Sequence, residues 1–415
     1  MRKMILFVAV SAVCLVFVSG AIAQPNKFWA MDVGNFWDYN GSNPIGCIPG
    51  PCTWTSRTNV AAIDPVTVPG LTTYRLDGFS GGITLQDMDW YSVNPLSPFD
   101  FRWHRGEYLQ DQMTVTFNGG LFVGGKQIAF GVPLIENTTG TFNDPTFTGP
   151  IDITSTVTVV GFGRVTVPLG TFQAYEVHRQ ISVPQLGGQV MDRTRWFAPY
   201  IGIVQDVEVF GPEDIDTKVL ADLNVAAVFN DVPIKSGPGV NPFYQYVMGI
   251  YDDGITGGCG AGTYCPGNNV TREQMAAFIV RAKEGEPPAN YCDAGISFTD
   301  VQPASPFCKY IKRLVELGIT AGCEAGKYCP TDNVLRQQMA AFIVRAVEGE
   351  PLPNYCDTGI SFTDVQPASV FCKYIKRLVE LGVTQGCQPG MYCPGDNVLR
   401  NQMAAFLARA FLGMQ

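Results

Sequence analysis

The chain has 415 residues, of which 46% are hydrophobic and only 16% charged, with 45 Gly and 29 Pro. That mix excludes a disordered chain and fits two or three turn-rich globular domains. A net charge of −9 excludes general nucleic-acid affinity, which needs a basic excess to release counterions, and two His residues leave little for a His-based metal site or triad.

Residues 1–23 read as a secretory signal. Arg2 and Lys3 precede an apolar run from Ile5 to Val18, and Ala21-Ile22-Ala23 is a small-x-small cleavage site before Gln24. A membrane anchor is the competing reading, but the run is short and the cleavage motif follows it. Beyond it no stretch approaches the roughly 18 apolar residues of a spanning helix, so no transmembrane segment is expected after cleavage. Cleavage removes Cys14 from the 13 cysteines and leaves an even number in an exported chain, which suggests disulfides.

Residues 24–228 are rich in Val, Thr, Phe and Gly. Thr114-Val115-Thr116-Phe117, Thr156-Val157-Thr158-Val159 and Arg164-Val165-Thr166-Val167 alternate polar and apolar as half-buried strands do, and Asn118-Gly119-Gly120 and Leu186-Gly187-Gly188 mark turns. One mainly antiparallel β domain is expected, a half-barrel or sandwich. Its chemistry is sparse. His104, near Arg102, Arg105 and Glu107, is a candidate general base or a plain strand His. Glu176 and His178 share a strand face, as do Asp87 and Asp89, and both read more readily as surface pairs than as sites. Asn137-Thr138-Thr139 fits a glycosylation sequon that short sequences form by chance. There is no phosphate-binding Gly loop and no His-Glu zinc helix, and no catalytic residue, metal or cofactor is assigned. Met31 to Tyr39, Val165 to Phe172 and Trp196 to Val204 resemble the V-G-N-x-W-x-Y, V-x-V-P-x-G-x-F and W-Y-A-P-x-x-G-x-V segments of exported bacterial half-barrel, lipoprotein-carrier-like domains. The resemblance implies a curved sheet with aromatics on its concave face and brings no catalytic residues.

From residue 229 the sequence repeats. Cys259, Cys323 and Cys387 recur every 64 residues, as do Cys265, Cys329 and Cys393, and residues 291–346 and 355–410 are near-copies. The first unit, 229–282, is divergent: it carries about five extra residues around Ser236 to Val240 and has Tyr244 where Cys308 and Cys372 stand. The intervals pair Cys259 with Cys265, Cys323 with Cys329, Cys387 with Cys393, Cys292 with Cys308, Cys356 with Cys372 and Cys47 with Cys52. Zinc is the rival for paired cysteines, but export favours oxidation and no His lies nearby.

Each unit predicts two helices. Cys308, Ile311, Leu314 and Val315 share one face, and Gly318 is placed to end that helix. Met339, Phe342, Ile343 and Ala346 stripe the second, from about Arg336 to Ala346. Thr271-Arg272-Glu273-Gln274 forms a capping box, which Leu335 and Leu399 forfeit in the later units. A unit this small cannot bury both stripes alone, so three stack around a shared core.

Here F-x-D-V, an amphipathic helix ending L-G-I/V-T, a G-x-Y-C-P loop and V-T/L-R-x-Q-M-A-A-F together resemble the S-layer homology repeat. The chain thus reads as multidomain: an N-terminal mainly antiparallel β domain plus a C-terminal all-α bundle of three S-layer homology repeats. The resemblance implies non-covalent anchoring of an exported bacterial protein to cell-wall or envelope polysaccharide, with the motif arginine, here Arg272, Arg336 and Arg400, in the ligand groove. The physics leaves two readings of those arginines. A cation in a helix's first turn opposes the macrodipole; either a ligand acid meets it and the free N–H groups there, or Asp231, Asp300 and Asp364 pair with it. Tyr264, Tyr328 and Tyr392 either stack on sugars or pack on their own unit; Lys309, Lys312, Arg313 and their copies read as a solvated face. Rival functions are an exported enzyme that the repeats target to envelope material, an apolar-ligand carrier, and a structural surface protein whose repeats bind no sugar.

Overall fold

The computed structural model describes residues 36–414 apart from 48–49, 65–72, 81–83, 95–96, 110–111, 125–129, 200, 210–214, 225–226, 238 and 358. The signal at 1–23 lies outside the described residues, as do the side chains of Cys47, Cys52, Asp87, Asp89 and His104. The chain divides into two compact units, 22–227 with 234–240, and 228–233 with 241–415.

The first unit is built from twelve antiparallel strands, from β1 (Phe36–Cys47) to β12 (Ile215–Asn224), each paired with the next in sequence. The expected alternation is plain in β8 (Thr148–Val167): Ile151, Ile153, Ser155, Val157 and Val159 are buried, while Asp152 and Thr154 face solvent. What local periodicity does not contain is the closure. β1 pairs with β12, Phe36 opposite Asn224 and Ser42 opposite Thr217, so the sheet is a closed barrel where the sequence reading left its edges open. Closure satisfies the two rows of backbone groups that a half-barrel or sandwich leaves at its edges. Trp37, wholly buried, donates Nε1 to Ile201 O at 2.6 Å, and Tyr39 OH donates to Ile203 O at 3.0 Å, tying β1 to the region around β11 (Gly202–Val209). The extra residues of the first repeat belong to this unit. They form a small hairpin, β13 (Lys235–Ser236) and β14 (Gly239–Val240), held by a Lys235–Asp222 ion pair of 2.7 Å.

One buried cluster inside the barrel is ionic. Arg193, on β10 (Gly188–Ala198), grips Asp206 of β11 through Nε–Oδ1 at 2.7 Å and Nη2–Oδ2 at 2.5 Å, and Arg195 Nε reaches Oδ2 at 3.3 Å. Burial alone would raise the Asp206 carboxyl, but Arg193 and Arg195 hold it well below the usual carboxylate range. His178, weighed beside Glu176, instead meets Asp192 across the strand pair at 2.6 Å.

The second unit contains six described helices in three hairpins: α1 (Tyr244–Asp252) with α2 (Arg272–Glu284), α3 (Cys308–Glu316) with α4 (Arg336–Val347), and α5 (Cys372–Glu380) with α6 (Arg400–Phe411). The predicted stripe is the core: Met339 and Ile343 are wholly buried, and Phe342 and Ala346 nearly so; Ile311 and Leu314 are wholly buried, with Val315 half-buried. Gly318 ends α3 at φ +70°, with its N–H on Val315 O and that of Ile319 on Leu314 O. The long helix of each repeat packs on the short helix of the next, α2 on α3 and α4 on α5, and α6 returns to α1. At the centre Val270 N–H donates to Val398 O, Val334 to Val270 and Val398 to Val334, a three-way backbone ring of wholly buried residues. Five cysteine pairs are joined: 259–265, 292–308, 323–329, 356–372 and 387–393, with Cα separations of 6.0–6.1 Å.

All six Trp precede residue 228, so Trp fluorescence reports the first unit alone. Asp206→Asn leaves Arg193 buried with its bidentate partner gone, and destabilises the barrel by about 3 kcal/mol in denaturant titration. The double variant Arg193→Met/Asp206→Leu costs less than Asp206→Asn; an equal or larger loss refutes the ion-pair account.

Candidate functional site

The three loops between the helices of each hairpin are held by carboxylates. Asp231 accepts the N–H groups of Tyr264 and Cys265, both at 2.7 Å; Asp300 does the same for Tyr328 and Cys329, and Asp364 for Tyr392 and Cys393. Burial works against the Asp300 carboxylate, but those N–H groups hold it below its ordinary range. The clamp and the disulfide together fix Cys265, Cys329 and Cys393 at φ 56–59°, a left-handed conformation unusual for a side-chain-bearing residue. Opposite them only glycine fits: a Cβ on Gly322, at φ +105°, meets Lys327 O at 2.3 Å. The recurring Asp is therefore the loop's anchor and not the arginine's partner.

The arginines are bound elsewhere. Arg272 Nε donates to Tyr328 O at 2.8 Å while Tyr328 OH donates back to Arg272 O at 2.7 Å. Arg336 and Tyr392 make the same exchange at 2.9 and 2.8 Å, and Arg400 and Tyr264 at 2.8 and 2.8 Å. Each clasp joins one repeat to another, and the third closes the circle. The tyrosines are wholly buried against their own repeat's Phe, ring centroids 5.6 Å apart, and burial pushes their phenols up. They pack on their own unit, as one reading had it, and also bridge to a neighbour.

The helix N-termini are not free. Arg272, Arg336 and Arg400 N–H donate to Asp332, Asp396 and Asn268 carbonyls at 2.8–2.9 Å, so the amides that sequence reasoning offered to an anion are already used within the bundle. The capping box survives in part: Gln338 and Gln402 Oε1 accept the N–H of Leu335 and Leu399 at 3.1 and 3.2 Å, and only the Thr271 hydroxyl half is lost.

What remains unused is in the guanidinium groups. Each is 4–5% exposed, lies 4.8–5.0 Å from its Tyr ring and 5.4–5.5 Å from the Phe of another repeat's long helix, and has a buried Nη2 without an acceptor among the described residues. Among the described residues no carboxylate lies within ion-pair distance of them, and burial pulls the Arg400 pKa down. A buried cationic donor with no acceptor is costly, so these atoms mark where an external acceptor is favoured. Arg400 lines a cleft of about 830 Å³ between the first two repeats, walled by Gly258, Phe278, Pro306, Phe307 and Lys309.

At the cleft rim Glu286 accepts from Arg281 Nε at 2.8 Å, Lys309 Nζ at 2.5 Å and Tyr310 OH; Glu350 repeats this with Arg345 at 2.7 Å, Lys373 at 2.5 Å and Tyr374. Partial burial opposes ionisation, but those donors hold both carboxyls at about 2. Arg313 pairs with Glu284 at the end of α2 at 2.7 Å, and Lys309 with Glu286 just beyond it, so the basic face of α3 is tied to the preceding repeat more than solvated. Sequence reasoning missed these acids, although Glu-Gly-Glu-Pro recurs at a constant distance from Lys309 and Lys373.

The S-layer homology domain family model matches residues 237–276, 297–340 and 361–404. Among curated proteins, the chain is 26% identical to an endoglucanase of Bacillus sp. (strain KSM-635) over 40% of this chain and 17% of that one. It is 32% identical to a cell surface protein of Thermoanaerobacter kivui over 27% and 15%, and 25% identical to the surface-layer 125 kDa protein of Lysinibacillus sphaericus over 38% and 13%. The chain spans under a fifth of the length of each of these relatives. An exported protein of YmcC-like fold from Bacteroides fragilis aligns over 48% of this chain and 99% of its own, at 12% identity and a TM-score of 0.34. No described helix is long and apolar enough to cross a membrane.

Because Glu286 and Glu350 titrate at about 2 in the fold against 4.5 ordinarily, their stabilisation is present above pH 4.5 and fades as pH falls towards 2. Helical circular dichroism of the intact protein is expected to show that acid limb, and Glu286→Gln/Glu350→Gln to flatten it. Identical acid limbs in the two proteins count against the network.

Proposed function

We propose that this chain, an exported cell-surface protein whose C-terminal repeats are S-layer homology domains, is held at the surface by envelope polysaccharide seated in the clefts between its repeats. The observation that carries the reading is the threefold recurrence of a buried guanidinium whose Nη2 has no acceptor among the described residues, Arg400 opening on the cleft between the first two repeats and Arg272 and Arg336 held the same way against Phe342 and Phe406. A saccharide supplies what that geometry lacks. Its hydroxyl, ketal or acid oxygens accept from Nη2, and its ring lies against the apolar cleft wall. A single shallow contact of this kind is weak, and three on one rigid body multiply through effective concentration.

The barrel is the part that is displayed, in a binding or structural role. Relatives that match part of this chain include enzymes, the endoglucanase and an amylopullulanase of Thermoanaerobacterium thermosulfurigenes, as well as surface proteins, which fits a tether that serves different cargoes.

The test is sedimentation of the mature full-length protein with purified cell envelopes, wild type against Arg272→Met/Arg336→Met/Arg400→Met. Methionine keeps the apolar packing and removes the donors. The triple variant is expected to lose binding about tenfold or more, a cost of about 1.4 kcal/mol or above, and because it also strips the donors from Tyr328, Tyr392 and Tyr264 O, Arg272→Lys/Arg336→Lys/Arg400→Lys, which keeps one cationic donor at each position, is measured beside it and is expected to lose binding with its helical signal intact. Unchanged sedimentation overturns the arginine assignment, and failure of the wild type to sediment overturns anchoring.

A further inference from the structure

The joined cysteine pairs of the bundle fall into two classes. Cys292, Cys308, Cys356 and Cys372 are 4, 0, 6 and 0% exposed, and their bridges are buried between a linker and the first turn of a short helix. The other three bridges close the loops between the helices of each hairpin, and each turns one cysteine to solvent. Cys259, Cys323 and Cys387 are exposed, while their partners Cys265, Cys329 and Cys393 are half-buried. Exchange with an external thiol needs an approach to a bridge sulfur, so access alone separates three reachable bridges from two protected ones.

The half-buried cysteine of each loop bridge is also the residue held left-handed, at φ 56–59°. The peptide that sets this angle is gripped from both sides. In the second repeat its carbonyl, Tyr328 O, accepts from Arg272 Nε at 2.8 Å, and its N–H, on Cys329, donates to Asp300 Oδ2 at 2.7 Å. The Tyr392–Cys393 peptide lies in the same way between Arg336 at 2.9 Å and Asp364 at 2.7 Å, and the Tyr264–Cys265 peptide between Arg400 at 2.8 Å and Asp231 at 2.7 Å. The aspartate belongs to the same repeat and the arginine to another. A side-chain-bearing residue left to itself favours negative φ, and it reaches it by turning this peptide over. That rotation takes the carbonyl off the neighbour's arginine. The bridge from Cys329 to Cys323 opposes the rotation, so the covalent staple and the clasp between repeats act on one peptide plane.

We propose that Cys259, Cys323 and Cys387 are thiol–disulfide exchange sites for an external dithiol, and that cutting the loop bridges loosens the boundaries between repeats while the helices stay formed. In the second repeat a thiolate of the dithiol attacks the Cys323 sulfur, forming a mixed disulfide and releasing the Cys329 thiolate, which takes up a proton. The second thiol of the reductant then attacks the reductant's own sulfur in the mixed disulfide. Cys323 leaves and is protonated, and the reductant departs as a disulfide, having passed two electrons and two protons to the pair. The buried bridges continue to hold α3 and α5 to the linkers before them. Loosening therefore reaches the backbone ring of Val270, Val334 and Val398, whose hydrogen bonds run from repeat to repeat, before it reaches the helices. The exchange site stands on the bundle alone and holds whether or not the clefts take a polysaccharide.

The experiment treats the mature full-length protein with graded dithiothreitol. One portion is alkylated with iodoacetamide and mapped by peptide mass spectrometry, and hydrogen exchange is followed on the other. The six loop cysteines are expected to label before Cys292, Cys308, Cys356 and Cys372, at concentrations that leave helical circular dichroism unchanged. Peptides carrying the Val270, Val334 and Val398 amides are expected to exchange about tenfold faster or more once the loop bridges are cut. Two variants separate this backbone coupling from general loosening. Both carry Cys259→Ser/Cys323→Ser/Cys387→Ser; one adds Cys265→Ser/Cys329→Ser/Cys393→Ser and the other Cys265→Gly/Cys329→Gly/Cys393→Gly. Glycine takes positive φ without a staple, so the glycine variant is expected to exchange within about twofold of oxidised wild type, with or without dithiothreitol. The serine variant is expected to match reduced wild type. Loop cysteines that label no earlier than the buried four overturn the exchange assignment. Ring exchange unchanged after the loop bridges are cut, or a glycine variant that loosens as the serine variant does, overturns the coupling.

Discussion

The repeat bundle depends on a reciprocal exchange between an arginine and a tyrosine in different repeats. The guanidinium gives a hydrogen bond to the tyrosine's backbone carbonyl, and the phenol gives one back to the arginine's carbonyl. Neither partner is satisfied inside its own repeat. A buried arginine and a buried phenol are each costly alone, and the exchange turns two liabilities into one joint. Three such joints, with the Val270, Val334 and Val398 backbone ring beneath them, make the bundle a closed object and not a stack. The disulfides 259–265, 323–329 and 387–393, the aspartate clamps and the left-handed cysteines all serve to deliver the tyrosine to that joint.

This joint explains why the arginine sits at a helix start against the macrodipole. Its charge is offset by two aromatic faces and a carbonyl, and not by a carboxylate. Had Asp300 paired with it, the loop would have lost its anchor. The barrel handles buried charge the other way, with Arg193 and Arg195 converging on Asp206 and leaving little donor capacity spare. The Arg193 and Arg195 cluster of the barrel is neutralised by Asp206. The repeat bundle instead leaves Arg272, Arg336 and Arg400 Nη2 without an acceptor among the described residues.

Much of this was legible in the sequence where the signal is local. Met339, Phe342 and Ile343 announced a buried stripe, the cysteine intervals of six and sixteen matched the joined pairs, and the alternation in Thr156 to Val159 gave strands. The parts that escaped are contacts between distant residues. Tyr328 lies 56 residues from Arg272, and Tyr264 lies 136 from Arg400, so no window along the chain pairs them. Closure of the barrel rests on Phe36 meeting Asn224, which no alternation pattern encodes. The aspartate was seen as a recurring acid, but its targets are backbone N–H groups, which carry no letter in the sequence.

The return of α6 to α1 has a consequence for biogenesis. An open solenoid gains stability one repeat at a time, and a partial array is still a folded one. Here Tyr264 has no arginine until Arg400 has arrived, so the first two repeats wait with an unmatched end while the chain is threaded across the membrane. Commitment comes as a single late event, and a translocation intermediate stalled after two repeats presents itself to envelope proteases as unfinished.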